Sequence, residues 1–248
     1  MDCAVDCHTR REALEHRWSF APSHLESARG QVVIGSESRE EYLEAIFKLA
    51  GTEAGITVTG VARELGVTPA SASEMLGRLT KAGCLQKDER NRIVLTGTGR
   101  SEAARLVRRH RLSERFLTDY LELPWDEVHE EACRFEHVLS DVVEAGLAKR
   151  LGQPDTCPHG RVIPDEAGEL AEETSRALAE VGPGDRCTVA YVSDESPDLL
   201  RYLASLGLLP GTPVVVEEVA PFDGPLLILV GGVCHPLGRE VARKIFVR

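Results

Sequence analysis

The sequence predicts an α+β chain, helical from Ser38 to about residue 150 apart from one short β ribbon and β-rich in its final third. Three observations predict it. From Ser38 onward, apolar residues recur at helical spacing. The charged turn "KDERNR" leads into a strand-like Ile93–Leu95. From residue 183 the runs "CTVAYV", "TPVVVEEV", "PLLILV" and "RKIFV" are separated by Gly and Pro turns and interrupted by one helix, "SPDLLRYLASLG".

The chain's 248 residues suit one large domain or two to three small ones, and 42% hydrophobic content is enough for packed cores. No apolar run approaches the roughly 20 residues that cross a bilayer. The first residues, "MDCAVDCHTRREALEHRWSF", lack the apolar stretch of a secretory signal. A cytoplasmic location without a membrane partner is therefore expected. Seven cysteines, an odd number, read as free thiols or metal ligands rather than a disulfide framework.

Residues 1–36 show no sustained period and are expected to be a flexible extension, in which Cys3, Cys7 and His8 lack nearby co-ligands. "SREEYLEAIFKLA" then carries an apolar stripe of Tyr42, Leu43, Ile46, Phe47 and Ala50. "TVTGVARELGVTPASASEMLGRLTKAGCLQ" reads as two helices about a turn at Gly66. Thr68 caps the second, Pro69 takes its first position, and Gly83 ends it. With the ribbon after it, this is a winged helix-turn-helix, expected over 37–109. "SEAARLVRRHRLSERFLTDYL" resumes helical spacing up to Pro124. "PWDEVHEEACRFEHVLSDVVEAGLAKRL" is expected as one long helix with Val128, Ala132, Phe135, Val138, Leu139 and Val142 inward, giving a helical domain over 110–165. A linker over 166–182 holding at most a short polar helix follows, and a small SH3-like barrel over 183–248 closes the chain.

The net charge of −11 is unevenly spread. Glu37 to Arg111 holds 13 Lys+Arg against 10 Asp+Glu, a balance of +3, while the remainder holds 16 against 30, or −14. That polarity suits a DNA-facing module joined to acidic domains. In helix-turn-helix motifs the second helix enters the major groove. Its outward candidates are Thr68, Ser71, Ser73, Glu74 and Arg78, with Thr59 on the first helix. Lys81, Lys87, Arg90 and Arg92 are candidates for phosphates. Ser and Glu also solvate exposed faces, so the motif carries this reading more than any one residue does.

"HEEACRFEHV" holds His129, Cys133, Glu136 and His137 at spacings that share one helix face. Imidazole, thiolate and carboxylate jointly suit a first-row divalent ion. His110 and Glu114, four apart on the preceding helix, form a second pair, and Glu41 with Glu44 a third. Cys157 and His159 of "CPHG" form a further constellation, which Asp194 and Glu195 are placed to complete. A zinc hydrolase would leave the winged motif unexplained and the chain has no "HExxH", so no enzyme is expected.

"SREEYLEAIFKL", the winged motif, "RRHRLSERFL", "WDEVHEEACRFEHVLSD" and "CPHG" together resemble the diphtheria-toxin-repressor family of metal-dependent transcriptional regulators, from about residue 38 to 248. The resemblance implies a homodimer that binds a palindromic operator in double-stranded DNA, represses metal-uptake genes and holds two divalent ions per subunit. It implies a regulatory site of Glu41, Cys133, Glu136 and His137. It also implies a second site drawn from His110, Glu114 and His129, or, in manganese-branch relatives with "CPHG", from Glu114, Cys157, His159 and an acid at Asp194. Iron-type members usually have Met where Glu41 stands, whereas manganese-type members usually have carboxylates at the positions of both Glu41 and Cys133, with a further Glu at that of Glu44. This chain is a hybrid. Hard Glu41 and Glu44 favour Mn(II), and the softer Cys133 keeps Fe(II) as the alternative.

Overall fold

The computed structural model describes residues 33–52, 54–171 and 174–248; the N-terminal Cys3, Cys7 and His8 lie outside them. Side-chain caps start most helices of the first half. Helix α1 (Val33–Ala50) buries Tyr42, Leu43 and Ile46, while Ala50 is exposed. In α2 (Val58–Glu64) the Thr57 hydroxyl accepts from Gly60 N–H, and in α3 (Pro69–Lys81) the Thr68 hydroxyl accepts from Ser71 N–H. Val61, Ala62, Ala72, Leu76 and Leu79 close the core between them, as the sequence pattern predicts. The wing is β1 (Leu85–Lys87) paired antiparallel with β2 (Ile93–Leu95). Its turn is held by Asp88, which accepts from the backbone N–H groups of Arg90 and Arg92.

Helix α4 (Gly97–Leu121) is one uninterrupted element of 25 residues. It runs through the boundary expected at 109/110, so the two helical domains share it. Its start lies against the chain leaving α3: Thr96 N–H donates to Cys84 O at 2.9 Å. A Cβ at Gly99 would stand 2.0 Å from Cys84 O, so the position requires glycine.

The single long helix expected after Pro124 is two helices, α5 (Val128–Glu136) and α6 (Asp141–Arg150). Ser140 caps α6 by accepting from Val143 N–H at 3.4 Å, and Asp141 and Glu144 suit the positive end of its dipole. Val138 and Val142, expected inside, are 73% and 82% exposed. Charge ties the start of α6 to α4: Glu144 accepts from Arg108 at 3.1 Å and Arg109 at 3.0 Å, and Asp141 from Arg105 and Arg109, while Ala148 further along packs on Leu112.

The final domain also departs from expectation, because it begins inside the predicted linker. Strand β3 (Arg176–Ala177) pairs with the last strand, and Leu178 and Val181 lie in the barrel core. A two-residue strand followed by a 3₁₀ turn, Leu178–Glu180, has no readable period. Then come β4 (Arg186–Val192), α7 (Pro197–Ser205), β5 (Pro213–Val219), β6 (Leu226–Val230), β7 (Val233–Leu237), α8 (Arg239–Ala242) and β8 (Ile245–Val247). They form an antiparallel sheet in the order β3-β8-β4-β5-β6-β7 around Val189, Leu200, Leu203, Val216, Leu226, Ile228 and Ile245. Among the described residues no helix is long and apolar enough to cross a membrane.

The "CPHG" loop is pressed against β4. Val192 N–H donates to His159 O at 3.1 Å. Gly160 has φ +86°, and a Cβ there would lie 2.0 Å from Ala190 O. This close seam brings Cys157 and His159 under the helical domain.

Candidate metal centre

Helix α4 supplies the hub. His110 and Glu114, one turn apart, are both buried. His110 Nδ1 is 2.5 Å from Glu136 Oε2 on α5, 4.0 Å from Glu44 Oε1 on α1 and 4.0 Å from Cys133 Sγ. On the other ring edge, His110 Nε2 is 3.0 Å from Glu114 Oε1 and 3.1 Å from His129 Nδ1. His129 Nδ1 is in turn 3.0 Å from Glu195 Oε2, in the loop between β4 and α7. One imidazole therefore joins two groups of donors: Glu44, His110 and Glu136, and His110, Glu114, His129 and Glu195. Within each group the donor atoms lie within 4.8 Å of one another. Glu114, Cys157 and His159 satisfy the same limit, as do His110, His129 and Cys133. Glu44, His110, Glu114, His129, Cys133, Glu136 and Glu195 line a cavity of about 380 Å³, and Cys157 and His159 lie outside its wall. A larger cleft of about 1540 Å³, between the linker and the barrel, shares only Cys157 with these groups, so size does not mark the centre.

The donor set fits a divalent ion. Glu114 Oε2 is buried and makes no hydrogen bond among the described residues, and buried His159 Nδ1 has an ion-pair contact with the Glu114 carboxylate but no well-aligned hydrogen bond, a costly arrangement unless a cation engages them. His159 Nε2 donates to Trp125 O at 2.7 Å, which turns Nδ1 toward Glu114 Oε1, 3.2 Å away. Electrostatics point the same way. Burial works against a charge on His129, yet hydrogen bonds to Cys133, Glu114 and Glu195 outweigh it and push its pKa up to about 12. His159 is pushed up to about 11 by Cys157 and Glu114 against the same burial penalty. Burial would raise Glu195, but the His129 hydrogen bond holds it down at about 2. Burial also opposes the Cys133 thiolate, and its contacts with His110 and His129 outweigh that. Glu136 is raised, chiefly by burial. Protons here stand in for a positive charge the carboxylates require.

Residues 36–91 match the family described as iron dependent repressor, N-terminal DNA binding domain. Residues 96–165 match its metal binding and dimerisation domain, and 176–248 the FeoA domain. The iron-dependent repressor IdeR of Mycobacterium leprae is 34% identical over 226 residues, covering 85% of this chain and 96% of that protein. The chain belongs to the diphtheria-toxin-repressor family. The diphtheria toxin repressor of Corynebacterium efficiens is 35% identical over 224 residues, covering 85% of this chain and 95% of that protein. Among solved structures, a manganese-dependent transcriptional repressor in complex with manganese superposes with a TM-score of 0.79 at 34% identity, covering 84% of this chain and 98% of that one. A manganese-activated repressor, ScaR, in its apo form gives 0.73 at 32%, covering 84% and 99%. As a diphtheria-toxin-repressor-family protein, this chain is a metal-dependent transcriptional repressor.

Within that family frame, three expected ligands sit differently. Glu41 lines the cavity but is exposed and belongs to none of the four donor groups; Glu44, one turn on, is the α1 residue that reaches His110. His137 points to Glu40, with 2.7 Å between Nδ1 and Oε2, so the sequence reading missed Glu40. Its position one turn before Glu44 is the signal that marks it. Asp194 is turned away, with Oδ2 2.7 Å from Lys244 Nζ, and its neighbour Glu195 faces the cluster. The candidate DNA residues Thr59, Thr68, Ser71, Ser73, Glu74, Arg78, Lys81, Lys87, Arg90 and Arg92 are all exposed. Glu74 and Arg78 pair at 2.6 Å along α3, and Arg92 pairs with Asp88 at 2.7 Å.

Proposed function

We propose that this chain is a homodimeric repressor of metal-uptake genes that Mn(II) switches onto a palindromic operator, with two ions held per subunit. The observation that carries the proposal is the meeting of Glu44, His110 and Glu136. They come from α1, α4 and α5, so the set ties the DNA-binding half to the helical domain. A divalent cation bound among them supplies the positive charge that the carboxylates need. Glu44 and Glu136 repel one another when unprotonated, and His110 alone bridges them. With that repulsion offset, α1 is held against α5 and the recognition helix α3 takes one orientation. Differential affinity for that arrangement is all the switch needs. The second set, His110, Glu114, His129 and Glu195, fastens the barrel loop to the same hub, and Glu114 also meets Cys157 and His159. Tyr120, Leu121, Val138, Val142 and Val143 form exposed apolar surface at the end of α4 and around the α5–α6 break, which supports self-association there.

Oxygen and imidazole donors at Glu44, His110 and Glu136 favour Mn(II), while the nearby Cys133 thiol favours Fe(II) as the second reading. The test is fluorescence anisotropy on the protein's own upstream DNA, after chelation and under anaerobic conditions, with Mn(II) and Fe(II) titrated separately. Binding that requires metal and is lost in Glu136→Ala is expected, with Mn(II) acting at the lower concentration. Tight binding in chelator, unaffected by Glu136→Ala, overturns the proposal.

A further inference from the structure

At the end of α1, Lys48 stands where the three domains meet. Its Nζ is 2.7 Å from Glu64 Oε1 at the end of α2. The same side chain lines both the metal cavity and an adjoining outer cleft of about 270 Å³. The other residues lining that cleft come from the helical domain, among them His129, or from the barrel loop carrying Asp194 and Glu195. Lys48 is thus the DNA-binding half's contribution to the outer cleft, and it shares both cavities with Glu195. Its side chain is 41% exposed; the part that is covered works against its charge, but Glu195 and Glu64 hold the ammonium above the usual lysine range. Charge also surrounds it elsewhere: Asp194 is engaged by Lys244 and Asp126 by Arg201, whereas Glu195 faces His129 at 3.0 Å and His159 at 4.0 Å and shares its cavity wall with Lys48 and Arg161.

We propose that Lys48 is a tethered cation that competes with the incoming divalent ion for Glu195, and so sets the metal concentration at which the second group of ligands fills. This rests on the metal-centre reading given above. With the cavity free of metal, the ammonium compensates Glu195 while held to α2 by Glu64. A divalent ion on Glu195 meets a like charge that cannot diffuse away, because the side chain is anchored. Lys48 is therefore a positioning residue outside the ligand set, and its effect follows its charge rather than its shape.

The test is isothermal titration of metal-free full-length protein with Mn(II), without DNA, for wild type, Lys48→Met and Lys48→Arg. Removing one unit charge from a partly solvated cleft is expected to tighten the weaker of two Mn(II) sites by about five- to tenfold in Lys48→Met. Lys48→Arg, which keeps the charge, stays within about twofold of wild type on the same basis. Thermal unfolding of the metal-free proteins is measured alongside, so that lost packing is separated from lost charge. If wild type binds Mn(II) and Lys48→Met binds it equally or more weakly, the competition proposal is overturned. If wild type binds no divalent ion, the metal-centre reading itself has failed.

Discussion

Replacing Glu44 with Gln keeps the side chain's shape and removes one negative charge from the junction of α1 with His110. Glu44 Oε1 is 4.0 Å from His110 Nδ1, and its side chain is only 26% exposed. Unit charges at such a distance interact by about 4 kcal/mol at an effective dielectric of 20. Partial solvent contact and the amide oxygen that remains as a ligand bring the net loss to ~2–3 kcal/mol, or about 30- to 150-fold in Kd. Glu41 is exposed and outside every donor group, so Glu41→Gln is expected to cost no more than ~1 kcal/mol, about fivefold. The assay is Mn(II) titration calorimetry on the metal-free proteins, with thermal unfolding to exclude misfolding. The order of the two losses is the test. Equal losses, or a larger one for Glu41→Gln with unfolding unchanged, would refute the assignment of Glu44 as the α1 ligand.

Three further outcomes are expected. His129 and His159, with pKa values pushed up to about 12 and 11, carry protons at neutral pH in the metal-free protein, yet must be neutral to bind a cation. Mn(II) binding should therefore release protons and weaken as pH falls; calorimetry in two buffers of different ionisation enthalpy reads the number, and zero release contradicts the account. Val142→Asp puts a charge into the apolar surface around the α5–α6 break and should weaken self-association at least tenfold by sedimentation, with monomer stability little changed because Val142 is 82% exposed. Gly160→Ala adds a Cβ 2.0 Å from Ala190 O at a positive φ, which should cost ~3 kcal/mol, lower Tm on the order of 10 °C and weaken one Mn(II) site; a Tm within 2 °C of wild type, on that same scale, counts against the tight seam.

Much of the DNA-binding half was legible because its boundaries are written in local chemistry. Thr68 and Pro69 open α3 by hydrogen bonding and a fixed backbone angle, and both act within four residues of their own position. The break between α5 and α6 was not legible. Val138 and Val142 extend the apolar spacing of α5 without interruption, and only the outward turn at Ser140 exposes them. Periodicity reports that a face is apolar; it does not report what covers it. The cluster of donor side chains was legible as a set of residue types at one-turn spacings. Choosing Glu44 over Glu41, or Glu195 over Asp194, depends on which way a backbone points after tertiary packing. Two acids side by side in a loop leave no periodic trace of that choice.

Helix α4 turns the cavity's small dimensions into larger ones elsewhere. From His110 back to Gly99, a rise of ~1.5 Å per residue makes an arm of about 16 Å. At the far end, Gly99 is wedged on Cys84 O with no room for a methyl group, so the seam transmits movement instead of absorbing it. A change of ~5° in the direction of the arm at His110 carries that seam through roughly 1.4 Å, well beyond the spread of hydrogen-bond lengths. A cation drawing the donors at the middle of α4 together would thus reset, through one continuous helix, the direction of the chain leaving α3.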